Sequence, residues 1–347
     1  MSKKRILLDG WPLAYEPNSP AAIHLHTLVN YFPAEFVAIL ALPANIELDT
    51  DLEGIEQIVI ESHDLGKWQQ RFLQNGARDS GSVLIHSTMP GASLFGRLTV
   101  LLSPSGALQA DQYASRLAMA QSEGGMQRAH FLWADDLRQE PRQDNVFFSN
   151  PVVHPDFLRR DEIDLPSFMP ETYVLAHGPF REDDLRDMLE AWTWAAASIG
   201  ENYPLTMLGI DEDEAAAIKE ILPDYHLDEY VQVLPNLAWN ELVAVYRNSS
   251  AVLLMRDGYF WGASARLALA AGRTLVGQKN AQLDRLVGPA AYLVDEGDLR
   301  SLGAAMIGSV VDERIWERLE EAATLRSAGW NGKGFSEKLA EIYGEIS

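Results

Sequence analysis

The segment from Arg256 to Ser264 reads Arg-Asp-Gly-Tyr-Phe-Trp-Gly-Ala-Ser and gathers a cation, a carboxylate (Asp257), a phenol (Tyr259) and a hydroxyl within nine residues. It follows the apolar run Ala251 to Met255 and precedes Ala263 to Ala271, a stretch of small and apolar residues that reads as a helix stopped by Gly272. A second apolar run, Thr274 to Val276, completes a strand–helix–strand unit of a parallel sheet. Ligands of such sheets lie beyond the carboxyl ends of the strands. Arg256 to Ser264 falls there, and the N-terminus of the following helix favours an anion. Asp257 offers a carboxylate; Arg256, Arg266, Arg273 and Lys279 offer cations, although solvation at the surface is the ordinary fate of each.

Other reactive side chains are more scattered. His86 ends the run Ser82 to His86, where it serves either as a ligand contact or as a buried, hydrogen-bonded structural group. Ser105 follows the run Leu98 to Leu102; a serine there donates one hydrogen bond but does not readily move protons at neutral pH. Gly178, Pro179, Phe180 and Arg181 follow the run Tyr173 to His177. No phosphate-binding Gly-x-x-x-x-Gly-Lys motif, Gly-x-Ser-x-Gly elbow or zinc-spaced histidine pair is present. His24 and His26 point to different faces of the helix Ala21 to Tyr31, so one packed and one solvated histidine is the expectation.

These positions need a scaffold, and the rest of the chain supplies its pattern. Strands are expected at Arg5 to Asp9, Phe36 to Leu42, Ile55 to Ile60 and Ala129 to Trp133, with Gly10 to Pro20 as a proline-bearing loop. After the charged segment Arg159 to Pro170, which reads as a linker, the alternation resumes: strand 173–177, helix 185–197, strand 205–209, helix 212–222, strand 231–234. Helices close the chain at Leu299 to Val310, Glu313 to Leu325 and Phe335 to Ile346. Such alternation over 347 residues predicts an α/β protein of two Rossmann-like βαβ domains.

Composition narrows the partners. The chain is 47% apolar and 22% charged, with a formal net charge of −22. That charge opposes nonspecific binding to nucleic acid or anionic lipid. Cysteine is absent, which removes disulfides and thiol chemistry. No apolar run reaches membrane-spanning length, and the N-terminus lacks a secretory core, so a cytoplasmic protein without an integral membrane segment is expected.

The run from Ser250 to Asp298 resembles, without a gap, the nucleotide-sugar site of the retaining GT-B glycosyltransferases of family 4. There the strand is followed by Glu-Gly-Phe-Gly-x-Pro, an Ala-rich helix bearing a second Glu, and Gly-Thr-Pro-Val-Val. Gly262 and Gly272 match; the two glutamates fall on Tyr259 and Leu267. The family's Gly-Arg-Leu and nearby Lys, which hold the donor diphosphate, fall on Gly178-Pro179 and on Asp183 or Asp184. Its donor-sugar His falls on Ser105. The loop that touches the base precedes Trp239, which could stack on a ring. The resemblance implies a GT-B fold with two domains facing a cleft, an acceptor-side domain 1–165 and a nucleotide-sugar-side domain 166–332. The helix 333–347 is implied to pack back on the first. It implies sugar transfer from a nucleotide sugar to a carbohydrate acceptor through an altered donor site. Gly178, Arg181, Arg256, Gly262, Ser264 and Ser105 would bind the donor, with Asp257, Tyr259 and His86 as catalytic candidates. No metal is implied, and no cofactor beyond the nucleotide sugar as substrate. Because all five polar positions differ, the alternative is a catalytically inactive relative that serves as a binding or accessory subunit, for instance to a partner glycosyltransferase.

Overall fold

The computed structural model describes residues 3–48, 52, 54–89, 98–103, 129–135, 146–255 and 263–347. The chain forms two compact units, the first comprising Met1–His154 and Trp330–Ser347, the second Pro155–Asp257 and Gly262–Gly329.

The first unit is built on a seven-stranded sheet: β1 (Arg5–Asp9), β2 (Val37–Leu42), β3 (Glu56–Val59), β4 (Ser82–Ser87), β5 (Thr99–Leu102), β6 (Ala129–Ala134) and β7 (Val146–Ser149). Its order is β3-β2-β1-β4-β5-β6-β7, and every neighbouring pair is parallel. Burial on both faces explains the continuous apolar runs; Ile6, Leu7 and Leu8 are wholly inaccessible. Edge strand β3 (Glu-Gln-Ile-Val) is instead mostly exposed, and its Glu56 pairs with Arg5 on β1, charge that discourages edge-to-edge association. Helix Pro20–Asn30 starts at Ser19, whose side chain accepts from the Ala22 amide at 3.2 Å, with Pro20 in the first turn. The stretch Gly10 to Pro20 is not all loop. Trp11–Tyr15 forms a short helix, because Pro12 sits in the first turn, where a missing amide costs nothing.

The second unit carries β8 (Val174–His177), β9 (Leu205–Leu208), β10 (Val231–Val233), β11 (Ala251–Leu254), β12 (Thr274–Gln278) and β13 (Ala291–Val294). They form a parallel six-stranded sheet in the order β10-β9-β8-β11-β12-β13. Both sheets therefore follow the 3-2-1-4-5 order of doubly wound folds, in which strand order reverses between β1 and β4 and between β8 and β11. Helices Glu182–Ile199 and Leu299–Val311 pack together on one face of the second sheet; Ala263–Ala270 packs with Trp239–Asn248, Ala281–Val287 and Glu313–Ser327. Helix Ala263–Ala270 ends as its sequence requires: Gly272 adopts φ +71°, and the Arg273 amide returns to the Ala268 carbonyl at 2.9 Å.

The segment 155–165, read from sequence as part of the first domain, lies with the second unit. Phe157 is fully buried edge-on to the rings of Trp239 and Tyr246, and Asp156 accepts from Trp239 Nε1 at 2.8 Å. Arg160 donates to the Ala270 carbonyl at 2.9 Å, and Arg247 donates to the Asp161 carbonyl. Charged residues that read as a linker are thus docked by specific hydrogen bonds. Helix Phe335–Ile346 belongs to the first unit and buries Phe335, Leu339, Ile342 and Tyr343 there.

Candidate functional site

In the first unit the point of strand reversal is occupied by a buried carboxylate. Asp9, the last residue of β1, is 1% exposed and accepts three hydrogen bonds. Trp68 Nε1 donates at 2.8 Å and the Trp11 amide at 3.2 Å to Oδ1, while Ser87 Oγ donates at 2.7 Å to Oδ2. Burial raises the carboxyl pKa, opposed by these hydrogen bonds. Asp9 thereby ties together the segments that follow β1 and β3 and the end of β4, and Gly10 beside it is required because a Cβ would lie 2.4 Å from the Ala41 carbonyl oxygen.

His86, one residue before Ser87, is 1% exposed. Its Nδ1 meets the Tyr343 hydroxyl at 2.6 Å, and its Nε2 meets Ser103 Oγ. Burial, with repulsion from His24, holds its pKa well below the usual imidazole value. A neutral imidazole offers one donor and one acceptor, and two hydroxyls satisfy either tautomer. In this arrangement His86 pins helix Phe335–Ile346 to the ends of β4 and β5. His24 and His26 are both buried, contrary to the expectation of one packed and one solvated, because helix Pro20–Asn30 is buried from Pro20 to Leu28. Burial lowers the His24 pKa to about 4.

The second unit repeats the device at a different strand. His177, the last residue of β8, is 4% exposed and shares a hydrogen bond between Nδ1 and the Tyr246 hydroxyl. Tyr246 in turn packs on Phe157, and Phe157 on Trp239, with ring centroids 5.6 and 5.7 Å apart. Trp239 is 7% exposed, so it serves this aromatic row rather than an exposed stacking face. Gly178 and Gly209 let the ends of β8 and β9 approach: a Cβ on Gly178 would lie 2.8 Å from the Gly209 carbonyl oxygen, and one on Gly209, already at φ +70°, 2.7 Å from the His177 ring.

Around the β8–β11 reversal the candidates separate by environment. The Gly178–Pro179 bond is cis, and Arg181 is exposed at the N-cap position of helix Glu182–Ile199. Three acids, Glu182, Asp183 and Asp184, fill that helix's first turn. They compensate its dipole and repel any further anion. Helix Ala263–Ala270, which opens after β11, has no acid in its first turn. There Ser264 is 2% exposed, and its buried hydroxyl has no hydrogen-bond partner. Arg266 in the same turn is 2% exposed, which corrects the expectation of a solvated surface cation. Arg273 instead pairs with Glu320 at 3.3 Å, and Lys279 with Asp295 at 3.0 Å. Leu267, where the resemblance calls for a glutamate, is 3% exposed within the apolar body of the helix. Ser105, Arg256, Asp257, Tyr259 and Gly262 lie outside the described residues.

Asp9 was not singled out from the sequence. Its signal there was a carboxylate ending an otherwise apolar strand, Arg-Ile-Leu-Leu-Asp, immediately before glycine. Among the described residues, no group of acidic and histidine side chains is arranged to hold a metal, and no helix is long and apolar enough to cross a membrane.

No protein-family model and no curated protein sequence matches the chain. Solved structures match over its whole length. HepE from Anabaena, determined in complex with UDP and glucose, superposes with a TM-score of 0.73 at 14% identity, covering 99% of this chain and 100% of its own. Sucrose-phosphate synthase from Thermosynechococcus elongatus gives 0.71 at 15% identity, covering 99% of both chains. WaaG, a glycosyltransferase involved in lipopolysaccharide biosynthesis, gives 0.71 at 12% identity, covering 97% of this chain and 99% of its own. The shared architecture is the GT-B fold of two Rossmann-like domains.

Proposed function

We propose that this GT-B chain is a glycosyltransferase that draws on a nucleoside-diphosphate sugar, with the donor diphosphate at the N-terminal turn of helix Ala263–Ala270. The observation that carries this reading is the unpartnered, buried Ser264 hydroxyl in the first turn of an acid-free helix, at the strand reversal where doubly wound sheets bind ligands. Arg266 supplies positive charge in that turn. The acids of Glu182–Asp184 disfavour the β8 side for phosphate, the side on which the family-4 pattern places its Arg and Lys. HepE, built on the same fold, is known with UDP and glucose bound, which favours a uridine nucleotide as the first donor to try. Tyr259, Asp257 and Arg256 adjoin this turn in sequence and are the remaining donor-side candidates, with Gly262. Gly178 and Arg181 lie on this disfavoured β8 side and are not assigned to the phosphates. His86 belongs to the first unit, on the acceptor side in this reading, where the buried neutral imidazole orients Ser103 and the last helix rather than acting as a cation.

Thermal melts against UDP, GDP, ADP and their sugar conjugates test this reading. A matched nucleotide at a hundredfold its Kd stabilises by about 2.7 kcal/mol. Ser264→Ala is expected to leave the melt of the free protein unchanged or slightly higher, since it removes an unsatisfied buried hydroxyl, while weakening the nucleotide about tenfold. Insensitivity of the parent protein to every nucleotide at millimolar concentration would remove the proposal.

A further inference from the structure

On the helix face of the second sheet opposite Ala263–Ala270, a cavity of about 370 Å³ opens between helices Glu182–Ile199 and Glu212–Ile221. Its floor is apolar: Phe180, Leu185, Ile210, Ala217, Ile218 and Ile221. Ala217, Ile218 and Ile221 continue the stripe begun by Glu214 at spacing i, i+3, i+4, i+7, so the groove follows one side of a helix. Across it, Leu185 and Arg186 extend the corresponding stripe from Glu182. Two stripes with an apolar trough between them are the geometry that receives a third helix.

The rim identifies the partner's charge. Glu182 and Glu214 stand on opposite walls. The cation between them, Arg186, is already engaged by Glu182 at 2.7 Å. Beyond the rim, Asp183, Asp187 and Glu190 on one helix and Glu212, Asp213 and Glu220 on the other extend the negative field, against Lys219 and the N-cap residue Arg181. Partial burial raises the Glu214 pKa, as expected where a carboxylate borders an apolar trough. An anionic membrane or a nucleic acid would be repelled from such a rim. A second copy of a chain with net charge −22 would be repelled as well.

We infer that this groove is a docking site for a cationic amphipathic helix of another protein, its apolar side chains in the trough and its Lys or Arg residues against Glu182 and Glu214. The site lies apart from the proposed donor turn, so it stands whether or not the sugar-nucleotide reading does.

The test is fluorescence anisotropy of the full chain with a labelled Leu/Lys peptide about five turns long, patterned i, i+3, i+4, i+7, against the same peptide with Glu for Lys. Ala217 is exposed, so Ala217→Trp fills the trough without entering the core; circular dichroism checks that the variant folds. The paired change Glu182→Gln with Glu214→Gln keeps an acceptor for the Asp211 amide, which Glu214 now serves at 3.3 Å. The Leu/Lys peptide is expected to bind the parent, to lose about tenfold with Ala217→Trp, and to lose affinity and salt dependence with the glutamine pair. Equal affinity for the parent and both variants would mean attraction by bulk charge alone and overturn the proposal. Equal binding of the Leu/Glu peptide would overturn it too.

Discussion

Asp9 is the residue whose charge the fold supports least obviously. Its three hydrogen bonds can all be kept by asparagine, since Oδ1 still accepts from Trp11 and Trp68, and Nδ2 can donate to Ser87 Oγ. Asp9→Asn is therefore expected to change unfolding free energy by no more than about 1 kcal/mol, read by urea denaturation. A larger loss would show that the negative charge itself organises these segments. Leu267 gives the opposite case. A glutamate placed there buries a carboxylate in an apolar helix face, at an expected cost of about 3–5 kcal/mol. A Leu267→Glu variant that melts with the parent would contradict the packing described for this helix.

At the scale of elements, two histidine–tyrosine pins hold strand ends to helices. Tyr343→Phe keeps the ring against Phe32 and Phe36 but strands a buried nitrogen of His86, which should cost about 1–3 kcal/mol by thermal or chemical melts. No loss would mean that helix Phe335–Ile346 is held by apolar packing alone. The same region carries a pH dependence of definite sign. The His24 pKa falls from the ordinary 6.5 to about 4 on folding, so the folded state resists protonation. Its stability is complete above pH 6.5 and declines as pH falls from there towards 4, by about 3 kcal/mol for this group. His86, also depressed, acts in the same direction, while Asp9, whose pKa is raised, opposes it. His24→Leu should flatten stability between pH 6.5 and 4; an unchanged slope would assign the effect elsewhere. Much of this was legible in sequence as strands and helices, because runs such as Arg-Ile-Leu-Leu-Asp and Ala-Val-Leu-Leu are buried on both faces. The pins were not, since Tyr343 lies 257 residues from His86 and Ser87 lies 78 from Asp9. Pattern along a chain carries local periodicity, whereas such contacts exist only once the sheet order brings the strand ends together. Trp11–Tyr15 was missed for a local reason: three prolines read as loop, although one of them suits a helix's first turn.

At the scale of the whole molecule, two sheets with the same strand order and a full-length likeness to GT-B structures fix the architecture. A net charge of −22 adds self-repulsion to that architecture. Raising salt from low to moderate ionic strength should therefore raise the melting temperature by a few degrees, and a decrease would show that paired surface charges outweigh the repulsion. The proposed donor site places the phosphate anchor at the first turn of helix Ala263–Ala270. A crystal structure of the protein with the nucleoside diphosphate selected by thermal shift tests this most directly. The account predicts phosphate oxygens at the first-turn amides of that helix, with Ser264 Oγ donating to one of them. Phosphates bound instead at Arg181 and the first turn of helix Glu182–Ile199 would contradict it.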